Sequence, residues 1–254
     1  MHILILFLCL FTTSLFALDL KEAARIGKQI FFNECSEKKE KLVWWNQGES
    51  FPSLGIGHFI WYPEGFQGPF EETFPRLLAF FKEKQISLPA WLDIKKGAPW
   101  STREQFFDAQ NTLKQKELQD LLFNTMALQA EFIYQRLQPS LDKILSSSEE
   151  VKKPLIIKHL QQLQVSPEGK FALIDYLNFK GDGTSDKERY QGCGWGLKQV
   201  LEQMPANDSS VTAFIATATK LLMQRVDKAP PERQEGKWLP GWLARVERYT
   251  RSLD

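Results

Sequence analysis

The chain has 254 residues, of which 43% are hydrophobic and 25% charged, and its 32 Lys and Arg against 31 Asp and Glu give a formal net charge of +1. This is ordinary globular composition, with length enough to bury a sizeable core in one compact unit. A near-neutral balance supplies no long-range field for nucleic acid or an anionic membrane, so no nucleic-acid partner is expected.

Residues 1–17 contain no Asp, Glu, Lys or Arg, and the apolar run from Ile3 to Phe16 has the length of a signal h-region and is short for a spanning helix. They predict an export signal ending at Ala17, with the remainder periplasmic or secreted and free of the membrane. Cleavage there leaves Cys35 and Cys193, one pair that an oxidising compartment would allow to bond. Only His58 and His159 remain beyond the leader, and no CxxC or Cys/His cluster is present, so neither metal nor cofactor is expected.

From Asp19 to Asn33, Leu20, Ala23, Ala24, Gly27, Ile30 and Phe31 recur at helical spacing and predict a first amphipathic helix. Gly27 weakens that helix by about 1 kcal/mol relative to Ala, and it leaves room for a close packing contact. Residues 35–41 read as a polar turn. LVWW and FPSLGIGHFIWY then read as short aromatic-rich strands broken at Gly48, Pro52, Gly55 and Gly57.

Beyond Pro63 helices are predicted over 71–84, 101–108, 112–137 and 152–163, with Ser101 and Glu104 as a capping box. The SSSEE segment at 146–150 predicts a solvated joint. A helix from Pro167, a long Gly-rich loop, and helices over 195–204, 209–226 and 240–252 complete the chain. The class is α+β, predominantly α-helical, with a small β-ribbon after the first helix.

Glu34 ends the first helix and is followed by LVWWNQGE and by Ser53-Leu54-Gly55-Ile56-Gly57-His58. This order resembles the phage-type lysozymes (endolysins), in which a general-acid Glu closes the opening helix and a ribbon bearing Thr-Ile-Gly-x-Gly-His crosses the cleft. Ala172-Leu173-Ile174-Asp175 followed by Gly181 is similar to the central helix of that family, and Gly194-Trp195-Gly196-Leu197 to the start of its next helix. Pro240-Gly241-Trp242-Leu243-Ala244-Arg245-Val246 is similar to its terminal helix. The resemblance implies a single lysozyme-like bilobed domain over 18–254 with a helical insertion at about 63–165. Its expected partner is peptidoglycan or a related amino-sugar polymer, and a monomer is expected.

Cleaving a glycosidic bond requires an acid to protonate the leaving oxygen, and apolar walls favour the protonated form of a carboxyl. Glu34, flanked by Phe31, Phe32 and Cys35, suits that role. Inverting hydrolysis adds a second carboxyl about 6.5–9.5 Å away. By the resemblance Ser53 holds the position of the family's Thr, while its Asp falls near Asn46-Gln47, where no acid stands; Glu49 is the substitute. Glu34, Glu49 and Ser53 are thus the candidate catalytic residues. With no second carboxylate, a single acid can still act by lytic transglycosylation, the substrate's own hydroxyl attacking.

Trp45, His58, Trp61, Asp175 and Trp195 are the candidate substrate contacts. Flat aromatic faces suit sugar rings, although Trp and Phe equally dominate protein cores. In the resembling family the His braces the ribbon, and Gly55 and Gly57 give that ribbon backbone freedom. Arg245 is expected to bridge structurally toward the first helix, while Trp242 stands where the family has a nearer Arg, which would leave Glu34 without that neighbour. Cys35 and Cys193 would meet across the cleft if the lobes are arranged as in that family. The alternative function, suggested by the missing Asp, is a catalytically silent descendant that binds wall glycan or a protein partner.

Overall fold

The computed structural model describes residues 18–93, 95–186 and 188–250, so the expected export signal over 1–17 lies outside the described residues. Helix α1 spans Leu20–Cys35, and the Asp19 carboxylate accepts the Glu22 N–H at its start. Ser36, in the left-handed region at φ 52°, ends it. Of the expected stripe, Ala23, Gly27, Ile30 and Phe31 are buried, together with Ile26, whereas Leu20 and Ala24 are exposed.

A three-stranded antiparallel ribbon follows, with β1 at Val43–Trp44, β2 at Ser53–Leu54 and β3 at Phe59–Ile60 in the order β1-β2-β3. Ser53 lies opposite Trp44 on one side and Ile60 on the other. Helices α2 (Phe74–Glu83), α3 (Arg103–Asp108), α4 (Leu113–Asn124) and α5 (Met126–Ser147) come next. They are followed by α6 (Lys153–Leu163) and α7 (Pro167–Lys180). A two-stranded ribbon, β4 (Arg189–Tyr190) and β5 (Cys193–Gly194), precedes α8 (Leu197–Gln203), α9 (Val211–Lys228) and α10 (Leu239–Glu247). The fold is mainly helical α+β with a small antiparallel sheet.

Gly27 does permit a close approach: a Cβ there would lie 2.7 Å from the Met126 carbonyl oxygen, so α1 and α5 meet backbone to backbone. The same α5 also packs on α2 and α7 and buries Phe132, Ile133, Tyr134, Leu137, Leu141 and Ile144. It therefore belongs to the central core and is no appendage to it.

Three local expectations are corrected. The single helix expected over 112–137 is two, broken at Thr125 (φ −112°, ψ 17°), whose hydroxyl donates to the Leu121 carbonyl. The joint at 146–150 is tighter than expected: Ser146 and Ser147 belong to α5, and Ser148 is buried with its hydroxyl on the Ile144 carbonyl. The Gly-rich loop after α7 contains the β4–β5 ribbon, turned through Gln191 and Gly192, both at positive φ. Among the described residues no helix is long and apolar enough to cross a membrane.

Candidate active site

Glu34 sits in the last turn of α1 with its side chain 13% exposed. Arg245 of α10 donates from Nη2 to Glu34 Oε1 at 2.5 Å, and His58 Nδ1 lies 3.8 Å from Glu34 Oε2. Three distant segments thus meet on one carboxylate. His58 reaches it through a strained stretch of ribbon, with Gly55 at φ 69° and His58 itself at φ 48°.

The ribbon is held in that shape from α5. The Ile56 N–H donates to Gln129 Oε1 at 2.9 Å, and Gln129 Nε2 donates to the Leu122 carbonyl and Thr125 Oγ1. A Cβ on Gly55 would lie 2.3 Å from Gln129 Oε1, and one on Gly57 would lie 2.5 Å from the Phe59 ring. Both glycines are required by contact, Gly55 by its backbone angle as well.

Arg245 also forks onto Asp175 of α7, with Nε and Nη2 each 2.8 Å from a carboxylate oxygen. Tyr249 donates its hydroxyl to Asp175 Oδ2 at 2.7 Å, and Asn33 adds a contact to Oδ1 at 3.3 Å. Burial weakens the Arg245 guanidinium's hold on its proton, but Asp175 and Glu34 outweigh this and hold its pKa above the usual value. Burial, then Asp175, push the Tyr249 phenol well up. Asp175 is 1% exposed with both oxygens engaged, so it orders Arg245 and meets no ligand, a correction to its expected place in the groove. Trp242 does not leave Glu34 without an arginine, because Arg245 fills that place. Trp242 instead lies under the Lys180 amine, 3.3 Å from the ring centre.

Glu49 and Ser53 come together on the ribbon: Glu49 Oε2 accepts from Asn46 Nδ2 at 3.1 Å and from Ser53 Oγ at 3.4 Å. Glu49 borders a cavity of about 440 Å³ shared with Trp45, Phe66, Thr102 and Arg103, and Glu34 is not among its lining residues. Glu49 thus opens onto a cavity that Glu34 does not line.

The three tryptophans expected as substrate contacts are core residues. Trp45 and Trp61 are 2% exposed, with their indole N–H groups on the Glu49 and Lys96 carbonyls. Trp45 meets Phe106, and Trp61 packs against Phe74 and Trp100. Trp195 is buried between Tyr190 and the Arg225 guanidinium. Burial of their ring faces by other side chains leaves no surface for a sugar.

Cys35 and Cys193 are both free thiols, in contrast to the pairing the resemblance implied. Cys35 is fully buried, and burial, with Glu34 beside it, pushes its thiol up to about 12. Cys193 is half-exposed on β5. Sequence reasoning missed Gln129, Tyr249 and Asn33. For Gln129 the signal was an amide inside the apolar stripe with Ala130 and Ile133, where an unpartnered polar group is costly.

Among the described residues no group of three or more His, Cys, Asp or Glu is placed to hold a metal ion. Comparison with protein-family models, with curated proteins and with solved structures finds no match to this chain.

Proposed function

We propose that this protein cleaves the glycan strand of peptidoglycan on a lysozyme-like, bilobed fold, with Glu34 as general acid. The observation that carries the reading is the meeting of α1, the ribbon and α10 on the Glu34 carboxylate, through His58 and Arg245. A carboxyl fixed by such neighbours yet still open to solvent can deliver a proton to a glycosidic oxygen as the bond to the anomeric carbon breaks. Because Glu49 is engaged by Asn46 and Ser53 and borders a cavity that Glu34 does not line, the one-carboxylate route is favoured: a hydroxyl of the substrate attacks and its proton returns to Glu34. The same reading places the protein outside the cytoplasm, with residues 1–17 as its export signal, working as a monomer.

A second reading, a silent descendant that binds glycan or a protein, draws on the same contacts. Arg245 and His58 face the two oxygens of Glu34, an arrangement that also serves purely to join the elements. Incubation with peptidoglycan sacculi beside Glu34→Gln separates the two. Soluble muropeptides released by the wild type and lost in the variant support catalysis, and sugar ends closed into an anhydro ring mark the one-carboxylate route. Binding by both proteins without products supports the silent form.

A further inference from the structure

His58 stands at the ribbon's turn with its backbone at φ 48°, in the left-handed region that a residue with a Cβ adopts only at a cost in free energy. Its ring does not brace the ribbon: neither ring nitrogen makes a hydrogen bond among the described residues, and the side chain is 42% exposed. The brace comes instead from α5, where Gln129 takes the Ile56 N–H and is itself held by the Leu122 carbonyl and Thr125. Gly55 and Gly57 lie tight against Gln129, Phe59 and Ile133, which leaves the turn little room to relax. The core thus imposes on His58 a conformation whose one outcome at the ring is to bring the imidazole to Glu34.

The two oxygens of Glu34 differ. Arg245 donates to Oε1 at 2.5 Å, whereas Oε2 accepts no hydrogen bond among the described residues and faces His58 Nδ1 at 3.8 Å. That gap is too long for a hydrogen bond and too short for the water that inverting hydrolysis places between carboxyls about 6.5–9.5 Å apart. Two proton carriers so close reach the same side of a scissile bond. There one can serve the leaving oxygen and the other a hydroxyl of the substrate itself.

We infer, on the reading of Glu34 as general acid, that His58 is the second catalytic residue, the base for the attacking hydroxyl, in the role expected of Glu49. Glu34 Oε2 gives its proton to the glycosidic oxygen as the bond to the anomeric carbon breaks. The substrate hydroxyl bonds to that carbon, and its proton passes to Nδ1 of the neutral imidazole. The imidazolium returns this proton to the adjacent Glu34 carboxylate, so both residues end in their starting states and the product carries the closed anhydro ring.

His58→Gly tests this, because glycine adopts a positive φ freely and leaves the space of the ring open. With soluble glycan strands as substrate, kcat is expected to fall about a hundredfold or more, the usual contribution of a positioned base, with KM near that of the wild type and thermal stability kept. His58→Asn, which tolerates the same backbone angle and cannot act as a base, is expected to match it. Added imidazole is expected to recover part of the activity of His58→Gly and none of that of Glu34→Gln. Wild-type kcat in either His58 variant, a loss confined to KM, or no recovery with imidazole overturns the base and leaves Glu34 standing as the acid. A wild type that yields no product overturns the acid, and the base with it.

Discussion

Arg245 Nη2 lies 2.5 Å from Glu34 Oε1, although 211 residues separate the two in the chain. The same guanidinium holds Asp175, which is 1% exposed, so its removal would strand a buried carboxylate. Arg245→Met is expected to cost about 3–5 kcal/mol of unfolding free energy in urea titration, the range for breaking a buried pair by deleting one partner. The double variant Arg245→Met with Asp175→Asn is expected to recover part of that loss. A loss below about 1 kcal/mol, the range of a surface pair, would mean that the network does not hold α1, α7 and α10 together.

Two glycines make a second prediction because the contacts at both are with fixed atoms. Gly27→Ala gains about 1 kcal/mol of helix propensity but drives a methyl into the Met126 carbonyl, so the net effect is expected to be destabilising. Gly55→Ala adds strain at φ 69° to a clash with Gln129 Oε1 and is expected to cost about 2 kcal/mol or more. Only Gly55→Ala is expected to move His58 away from Glu34, read as a changed His58 imidazole signal in NMR.

What was legible in the sequence follows the same division between local and distant causes. The first helix, the ribbon and α7 announce themselves by periodicity, caps and turn residues, all local signals. The break at Thr125 is not local. No Gly or Pro marks it, and it coincides with Gln129, which turns its amide onto Leu122, Thr125 and the ribbon at Ile56. Pro139 misleads in the other direction, because the burial of Leu137, Leu141 and Ile144 carries α5 past it to Ser147. The expected aromatic groove failed for a related reason: burial of Trp45, Trp61 and Trp195 depends on partners such as Phe106, Trp100 and Arg225, remote in the chain. Arg245 was legible as a bridge, and its second anchor on Asp175 was not.

The cysteines allow a simple chemical test. With its thiol buried and held up near 12, Cys35 is expected to resist iodoacetamide in the native protein at neutral pH, whereas half-exposed Cys193 is alkylated. Peptide mapping after native and denaturing labelling reads each site. Rapid native labelling of Cys35, or recovery of a Cys35–Cys193 disulfide from the unreduced protein, would contradict the structure.

Lys180 sets an expected pH dependence of stability. The residue is 8% exposed, and its amine lies over Trp242 and Phe179 with no acid within ion-pair distance among the described residues. Burial first, then Arg225, lower its pKa to about 6; Glu235, held by Arg225 and Tyr190, opposes them in part, and Arg245 adds a smaller downward push. An unfolded lysine keeps its proton to about 10.5, so between these values the unfolded chain binds more protons than the native one. Stability then rises with pH across that window, by at most about 1.4 kcal/mol per pH unit from this group, and the full penalty is present below about pH 6. Lys180→Met keeps the apolar stem, removes the titration, and is expected to be more stable than wild type at neutral pH with a flatter profile. Thermal melts of both proteins across the window read the difference. If the two curves run parallel, the amine stays charged in the folded protein, and its aromatic neighbours supply what a counter-ion otherwise would.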